Sequence, residues 1–306
     1  MGMRRGYRSL FWPAILILVG VFALLVNAGF VPVERLDRLV DLWPLILVVI
    51  GLELVVRRAL QGASAEIAAA LIVLLAIGGA AAYVALGPSI PTGIQTLDAS
   101  GKVGSLSRAT ARVEAGGASI TMQGSSSIGD DLFHAHIEYS GRKPDVSLDT
   151  SSGEVQISQN TASGFFLPSR RFVLNLQLNS SVPWNISVDS GAANDTFMLS
   201  TVRVAGIEVN TGGSKEDITV GDPSGTVPIK VNGGAVTVNV HRPPGSAASV
   251  AVSGGAASLS FDGRQSKAVG TLTAQTSDYD HASDRYQIEV DGGACTVTVD
   301  ARPGGV

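Results

Sequence analysis

Four pairs of small residues, Gly191-Ala192, Gly212-Gly213, Gly233-Gly234 and Gly254-Gly255, recur along this chain at one constant spacing of about 21 residues. Each follows a short β-type run, at residues 186–189, 207–210, 229–232 and 250–253. The same unit recurs at Gly116-Gly117-Ala118 and Gly292-Gly293-Ala294. A fixed period of about 20 residues with glycine at one corner is the mark of stacked β-rungs, none of which can bury its apolar side without a neighbour. Glycine suits such a corner in two ways: a sharp bend favours φ > 0, and backbones stacked about 4.8 Å apart leave little room for a Cβ. Val, Ile, Leu and Ala take the alternate positions expected to face inward, and Thr, Ser, Asn and Asp the outward ones. The pattern predicts an all-β domain, a single-chain β-solenoid with rungs of about 21 residues. A β-sandwich is the alternative; it too has strands about every 8–12 residues but nothing that holds a constant register.

Strands are expected over 118–122, 133–139, 154–158, 172–178, 184–188, 207–210, 229–232, 235–240, 249–252, 258–261, 286–290 and 295–299, each bounded by turn-forming residues. Residues 88–306 carry 15 Lys and Arg against 21 Asp and Glu, a net charge of −6. No basic stripe is available to neutralise phosphates, which argues against nucleic acid as a partner. Cys295 is the only cysteine, so neither an intrachain disulfide nor a cysteine-based metal site can form. Its setting, Ala-Cys-Thr-Val-Thr-Val, makes it an inward-facing small apolar residue.

Residues 1–87 are a different kind of sequence. Three apolar stretches, 10–31, 42–56 and 67–87, approach or meet the roughly 20 residues that a helix needs to span a bilayer. The first and third are uncharged. The second is short and holds Glu53, one helical turn before Arg57, so the two can reach the interface together. Arg4, Arg5 and Arg8 precede the first stretch and Arg57-Arg58 follow the second, five positive charges on one side. The positive-inside rule then puts the N-terminus in the cytoplasm and, after three crossings, residues 88–306 outside. If 42–56 failed to cross, the β domain would be cytoplasmic. The expected organisation is a helical membrane anchor over 1–87, a Pro- and Gly-containing linker over 88–98, and the β domain over 99–306.

The anchor has its own repeat. Phe11-Trp12-Pro13-Ala14-Ile15-Leu16-Ile17-Leu18-Val19-Gly20 aligns without a gap to Leu42-Trp43-Pro44-Leu45-Ile46-Leu47-Val48-Val49-Ile50-Gly51. Trp12 and Trp43 suit the membrane interface, Pro13 and Pro44 suit a first helical turn, and Arg57 and Arg58 anchor the opposite end. In these Trp-Pro…Gly units residues 8–60 resemble the transmembrane region shared by bacterial LiaI and LiaF proteins. The pattern Val-x-Val-x-x-Gly-Gly-x-x-x-Val-x-Val, across 95–302, is similar to the C-terminal domains of LiaF-like proteins and of an adhesin-type β-solenoid family. In the LiaF family a membrane protein restrains a sensor histidine kinase that responds to cell-wall damage. The resemblance therefore implies a multi-pass plasma-membrane protein without enzymatic activity or cofactor, with the lipid bilayer and a membrane kinase as partners. The alternative it leaves open is a surface adhesion or scaffolding module that binds polymer or self-assembles.

No catalytic constellation emerges. The glycine pairs do not open helices, so they are not phosphate loops, and no serine sits in a Gly-x-Ser-x-Gly elbow. His134 and His136, two apart on one strand face with Asp130 and Asp131 upstream, are weak metal candidates. So are Asp278, Asp280 and His281, in the insertion that lengthens the repeat between Gly255 and Gly293 well beyond the others. For both groups a solvated surface is the plainer expectation. A polysaccharide-cleaving solenoid needs carboxylates clustered on an outer face, and the sequence reads as offering no carboxylate pair at the repeat period. The apolar run Gly164-Phe165-Phe166-Leu167-Pro168 is a loop that either covers an end of the stack or touches the bilayer.

Overall fold

Alternation is the dominant local signal, and in the computed structural model it is obeyed almost without interruption. The structure describes Gly79, residues 93–159 and residues 171–302. The three expected spans, with Trp12, Pro13, Trp43, Pro44, Arg57 and Arg58, lie outside the described residues, as does the run 164–168 expected to be a loop. Among the described residues no helix is long and apolar enough to cross a membrane.

Among the described residues twelve strands form one sheet: β1 (Gln95–Lys102), β2 (Ala109–Ser125), β3 (Asp131–Tyr139), β4 (Asp145–Asp149), β5 (Glu154–Ser158), β6 (Phe172–Asn179), β7 (Trp184–Leu199), β8 (Val204–Val220), β9 (Thr226–Arg242), β10 (Ala247–Phe261), β11 (Arg264–Gln275) and β12 (Arg285–Ala301). The centre is a parallel, in-register stack in the order β2-β7-β8-β9-β12-β10. Parallel pairing of this kind is not the antiparallel arrangement of a sandwich.

Each long strand is folded about its glycine pair into two arms. In β9 the buried apolar residues are Val227, Ile229 and Val231 before Gly233-Gly234, and Val236, Val238 and Val240 after it. Both sets belong to one continuous apolar cluster, so the two arms enclose the core between them. Short runs expected on either side of the corner are thus single bent strands.

The corner glycines stack in a column. A Cβ on Gly191 or Gly212 would collide with the carbonyl oxygen of Gly116 or Gly191 beneath it. On Gly234 it would lie 2.6 Å from Gly212 O, and on Gly293 2.8 Å from Gly234 O. None of these has positive φ, so close approach alone requires glycine there. Positive φ belongs instead to return turns such as Gly225 (φ 72°) and Gly245 (φ 80°). Beside the corner, Asn232 Nδ2 donates to Asn210 Oδ1 and Asn210 Nδ2 donates to Asp189 Oδ1, both at 3.0 Å. These side chains continue the ladder where backbone pairing is interrupted.

Three expectations are corrected. The rung offset is not constant: Ile186 pairs with Ile207, but Ile207 pairs with Ile229, one position further along the chain. The rungs are also not stacked in chain order. β12 lies between β9 and β10, so Gly292 pairs with both Gly233 and Gly254. At the other end β5 pairs the first arm of β2 and β6 the second, so together they make up one rung. Finally, β1 begins at Gln95, inside the segment read as linker; only Leu97 and Ala99 of this outermost strand pack on the core, too few to show as a pattern. Antiparallel strands close both ends, β11 on β10 and β1, β3 and β4 on the β5/β6 rung. Reversing direction caps a stack that would otherwise expose two open parallel edges.

Candidate functional site

β1, β3 and β6 pair antiparallel, so alternate residues of all three fall on one face. Inward, Phe133, Ala135, Ile137, Leu174 and Leu176 join the core. Outward, the register aligns Asp98, His136 and Asn175 in one row and Ser100, His134 and Gln177 in the next. With Ala99 and Ala135 these line an open groove of about 440 Å³.

His136 Nδ1 lies 2.6 Å from Asp98 Oδ1, a partner 38 positions away. His134 Nε2 lies 2.7 Å from Asp131 Oδ2, whose other oxygen is 2.7 Å from Lys102 Nζ. The Lys102 hydrogen bond, followed by that of His134, holds the Asp131 carboxyl below the usual carboxylate range. At the far side Arg171 donates to Glu138 Oε2 through Nε (3.1 Å) and Nη2 (2.8 Å). The side chains of Ser100, Asn175 and Gln177 have no hydrogen-bond partner among the described residues. The groove therefore presents unused hydroxyl and amide groups between imidazole–carboxylate pairs, while its nearest cations are already paired.

The histidines share one face, as their spacing predicts, but each turns to its own carboxylate. Among the described residues no three His, Cys, Asp or Glu side chains come together in a metal-binding group. Asp278, Asp280 and His281 are not brought together with them. They lie in the turn between β11 and β12, where Asp280 accepts from Gln275 Nε2 (3.1 Å). Asp284 accepts from Gly225 N (2.6 Å), pinning this turn to the β8–β9 turn. The Arg285 guanidinium lies 5.0 Å from the Tyr279 ring centre and donates to Tyr279 O and Ala282 O. The carboxylates of this segment serve its own folding. Cys295 is buried, 3.5 Å from Ser253 O, and burial pushes its thiol pKa up.

One expectation about carboxylates fails. Asp195 on β7 and Glu216 on β8 are direct register partners, so a carboxylate pair does exist at the repeat period. It faces inward. Both residues are buried, at 2% and 0% exposure, in a column whose flanking members are Ile120 and Val238. All four carboxylate oxygens are buried, and neither side chain is ion-paired among the described residues. Burial, then repulsion from Glu216, pushes Asp195 up to about 8; burial raises Glu216 as well. Both side chains are buried in the core, out of reach of a substrate, so the pair offers no hydrolytic centre. Aligning each repeat at the period, with the alternation marked, would have exposed it.

Comparison with known proteins follows this division of the chain. Residues 10–55 match the LiaI-LiaF-like transmembrane region, and residues 93–241 match the N-terminal domain of toast_rack. Among solved structures, a candidate cell adhesion protein from Clostridium sporogenes is 16% identical, over 69% of this chain and 100% of its own, with a TM-score of 0.57. That likeness is one of fold. A candidate adhesin from Bacteroides fragilis aligns over 70% of this chain and 100% of its own, at 8% identity and a TM-score of 0.20. No curated protein matches the chain significantly. The two matched regions make this a membrane-associated envelope protein carrying an all-β domain.

Proposed function

We propose that this chain is a non-enzymatic bacterial membrane protein of LiaF type, which reports the state of the cell envelope to a partner membrane kinase. Three helices, over about 10–31, 42–56 and 67–87, anchor it with the N-terminus in the cytoplasm. The β domain, read as a solenoid from about residue 99 and extended by β1, lies outside. The observation that carries this reading is the conjunction, in one chain, of a LiaI-LiaF-like membrane segment and a toast_rack domain. Helices suit contact with a kinase in the bilayer, and a rigid β-stack with a polar outer face suits a sensing role. A strain lacking the protein should respond abnormally to cell-wall antibiotics, and the full chain should co-purify with a histidine kinase. A normal response in that strain, with no kinase recovered, would overturn the proposal.

A second reading, a surface adhesion or scaffolding module, is favoured by the fold shared with the Clostridium sporogenes protein. It differs in requiring no kinase: antibiotic response would be unchanged, and cell-surface association would be lost on deletion.

A further inference from the structure

The groove is one end of a longer row of polar groups. From Asp98, His136 and Asn175 the register continues through Thr121 and Thr196 to Asp217, Asn239 and Thr298. All occupy outward positions, on eight adjacent strands. At about 4.8 Å per strand the row is roughly 34 Å long. We propose that this face binds an extended, uncharged glycan chain laid across the strands, seated most deeply in the groove.

The chemistry of the row favours such a ligand. A sugar hydroxyl both donates and accepts, and so do the hydroxyls and amides here. The side chains of Ser100, Asn175 and Gln177 are without protein partners among the described residues, and each groove histidine has only one ring nitrogen engaged. Within the groove, charge disfavours the anionic alternatives. Lys102 and Arg171 are held by Asp131 and Glu138, while the Asp98 side chain stays 77% exposed, so the groove repels phosphate and carboxylate polymers. Spacing supplies the repeat: one strand separation is close to the length of one sugar unit, so successive sugars meet successive rungs. Among the described residues no Phe, Tyr or Trp lines the groove to stack on a sugar ring. Each unit therefore contributes little, and affinity comes from the number engaged together. The inference rests on the envelope reading only for where such a chain is met; the kinase has no part in it.

The full chain in lipid nanodiscs, titrated calorimetrically with linear chitooligosaccharides, tests it. The six-unit oligomer should bind at least tenfold more tightly than the two-unit one. Asn175→Ala with Gln177→Ala should weaken six-unit binding roughly tenfold, the loss expected for two hydrogen bonds. Thr121→Val, which keeps shape and removes a hydroxyl, should weaken it severalfold, and Glu208→Gln on the other arm should leave it unchanged. Absence of binding at either length overturns the inference, as does binding that ignores the groove and Thr121 variants or is lost in Glu208→Gln. Kinase co-purification, measured on the same variants, separates failure of this inference from failure of the signalling proposal.

Discussion

Replacing the buried acids with valine, Asp195→Val together with Glu216→Val, should stabilise the domain and remove most of its dependence on pH. The native state holds a proton on Asp195 up to about pH 8, whereas the unfolded carboxyl releases it near 3.8. The folded chain thus binds about one more proton across that window, a slope of roughly 1.4 kcal/mol per pH unit. This contribution to stability is complete below pH 4 and is lost as pH rises toward 8. Local relaxation trims the product, leaving a loss on the order of 3–5 kcal/mol, to which Glu216 adds in the same direction. Valine matches Ile120 and Val238, the flanking members of the column, so the double variant fills the site with the residue type its neighbours select. Trp184 is buried and supplies the readout once Trp12→Phe and Trp43→Phe have removed the other two tryptophans. Denaturant midpoints from pH 4 to 8, followed by Trp184 fluorescence in nanodiscs, should slope downward in the parent and lie nearly flat in the double variant. A flat parent profile, or an undiminished slope in the variant, would refute the reasoning.

Other substitutions probe the corner, the core and the turn. Gly234→Ala places a Cβ 2.6 Å from Gly212 O and should cost about 1–3 kcal/mol. Gly213→Ala meets nothing closer than 3.4 Å and should change stability by less than about 0.5 kcal/mol. Equal effects in hydrogen-exchange stability would contradict the stacked column. Trp184→Phe loses both volume and the indole bond to Asn179 O (2.9 Å), a cost of about 2–3 kcal/mol; an unchanged denaturant midpoint would show that Trp184 is not a core anchor. Arg285→Ala removes the bonds and ring contact that hold residues 276–284. Protease cleavage there should accelerate while the stack stays folded, and an unaltered cleavage rate would count against that role.

The parts of the fold legible in the sequence are those that repeat. Val-x-Val runs with glycine pairs reveal bent rungs and their inward faces, because burial and close backbone approach act at every rung alike. Which rung neighbours which is not legible. β9, β10 and β12 carry nearly the same corner unit, so the period cannot tell that the last strand enters between the other two. β11 is mostly exposed and lacks an apolar alternation, although Asp262-Gly263, both at positive φ, is a hairpin signal that announces it. In the groove, the two histidines are legible as one face by their spacing. Asp98, Asn175 and Gln177 are not, since only long-range pairing brings β1 and β6 alongside β3.

The most direct test of the account is the side of the membrane on which the β domain lies. Val269 on β11 is 86% exposed, and the native Cys295 is buried, so Val269→Cys offers a single reactive thiol among the described residues. A membrane-impermeant maleimide added to intact cells should label the Val269→Cys chain fully and the parent hardly at all. Labelling that requires prior lysis would place the domain in the cytoplasm and contradict three crossings, an outward sensing face and the glycan site together.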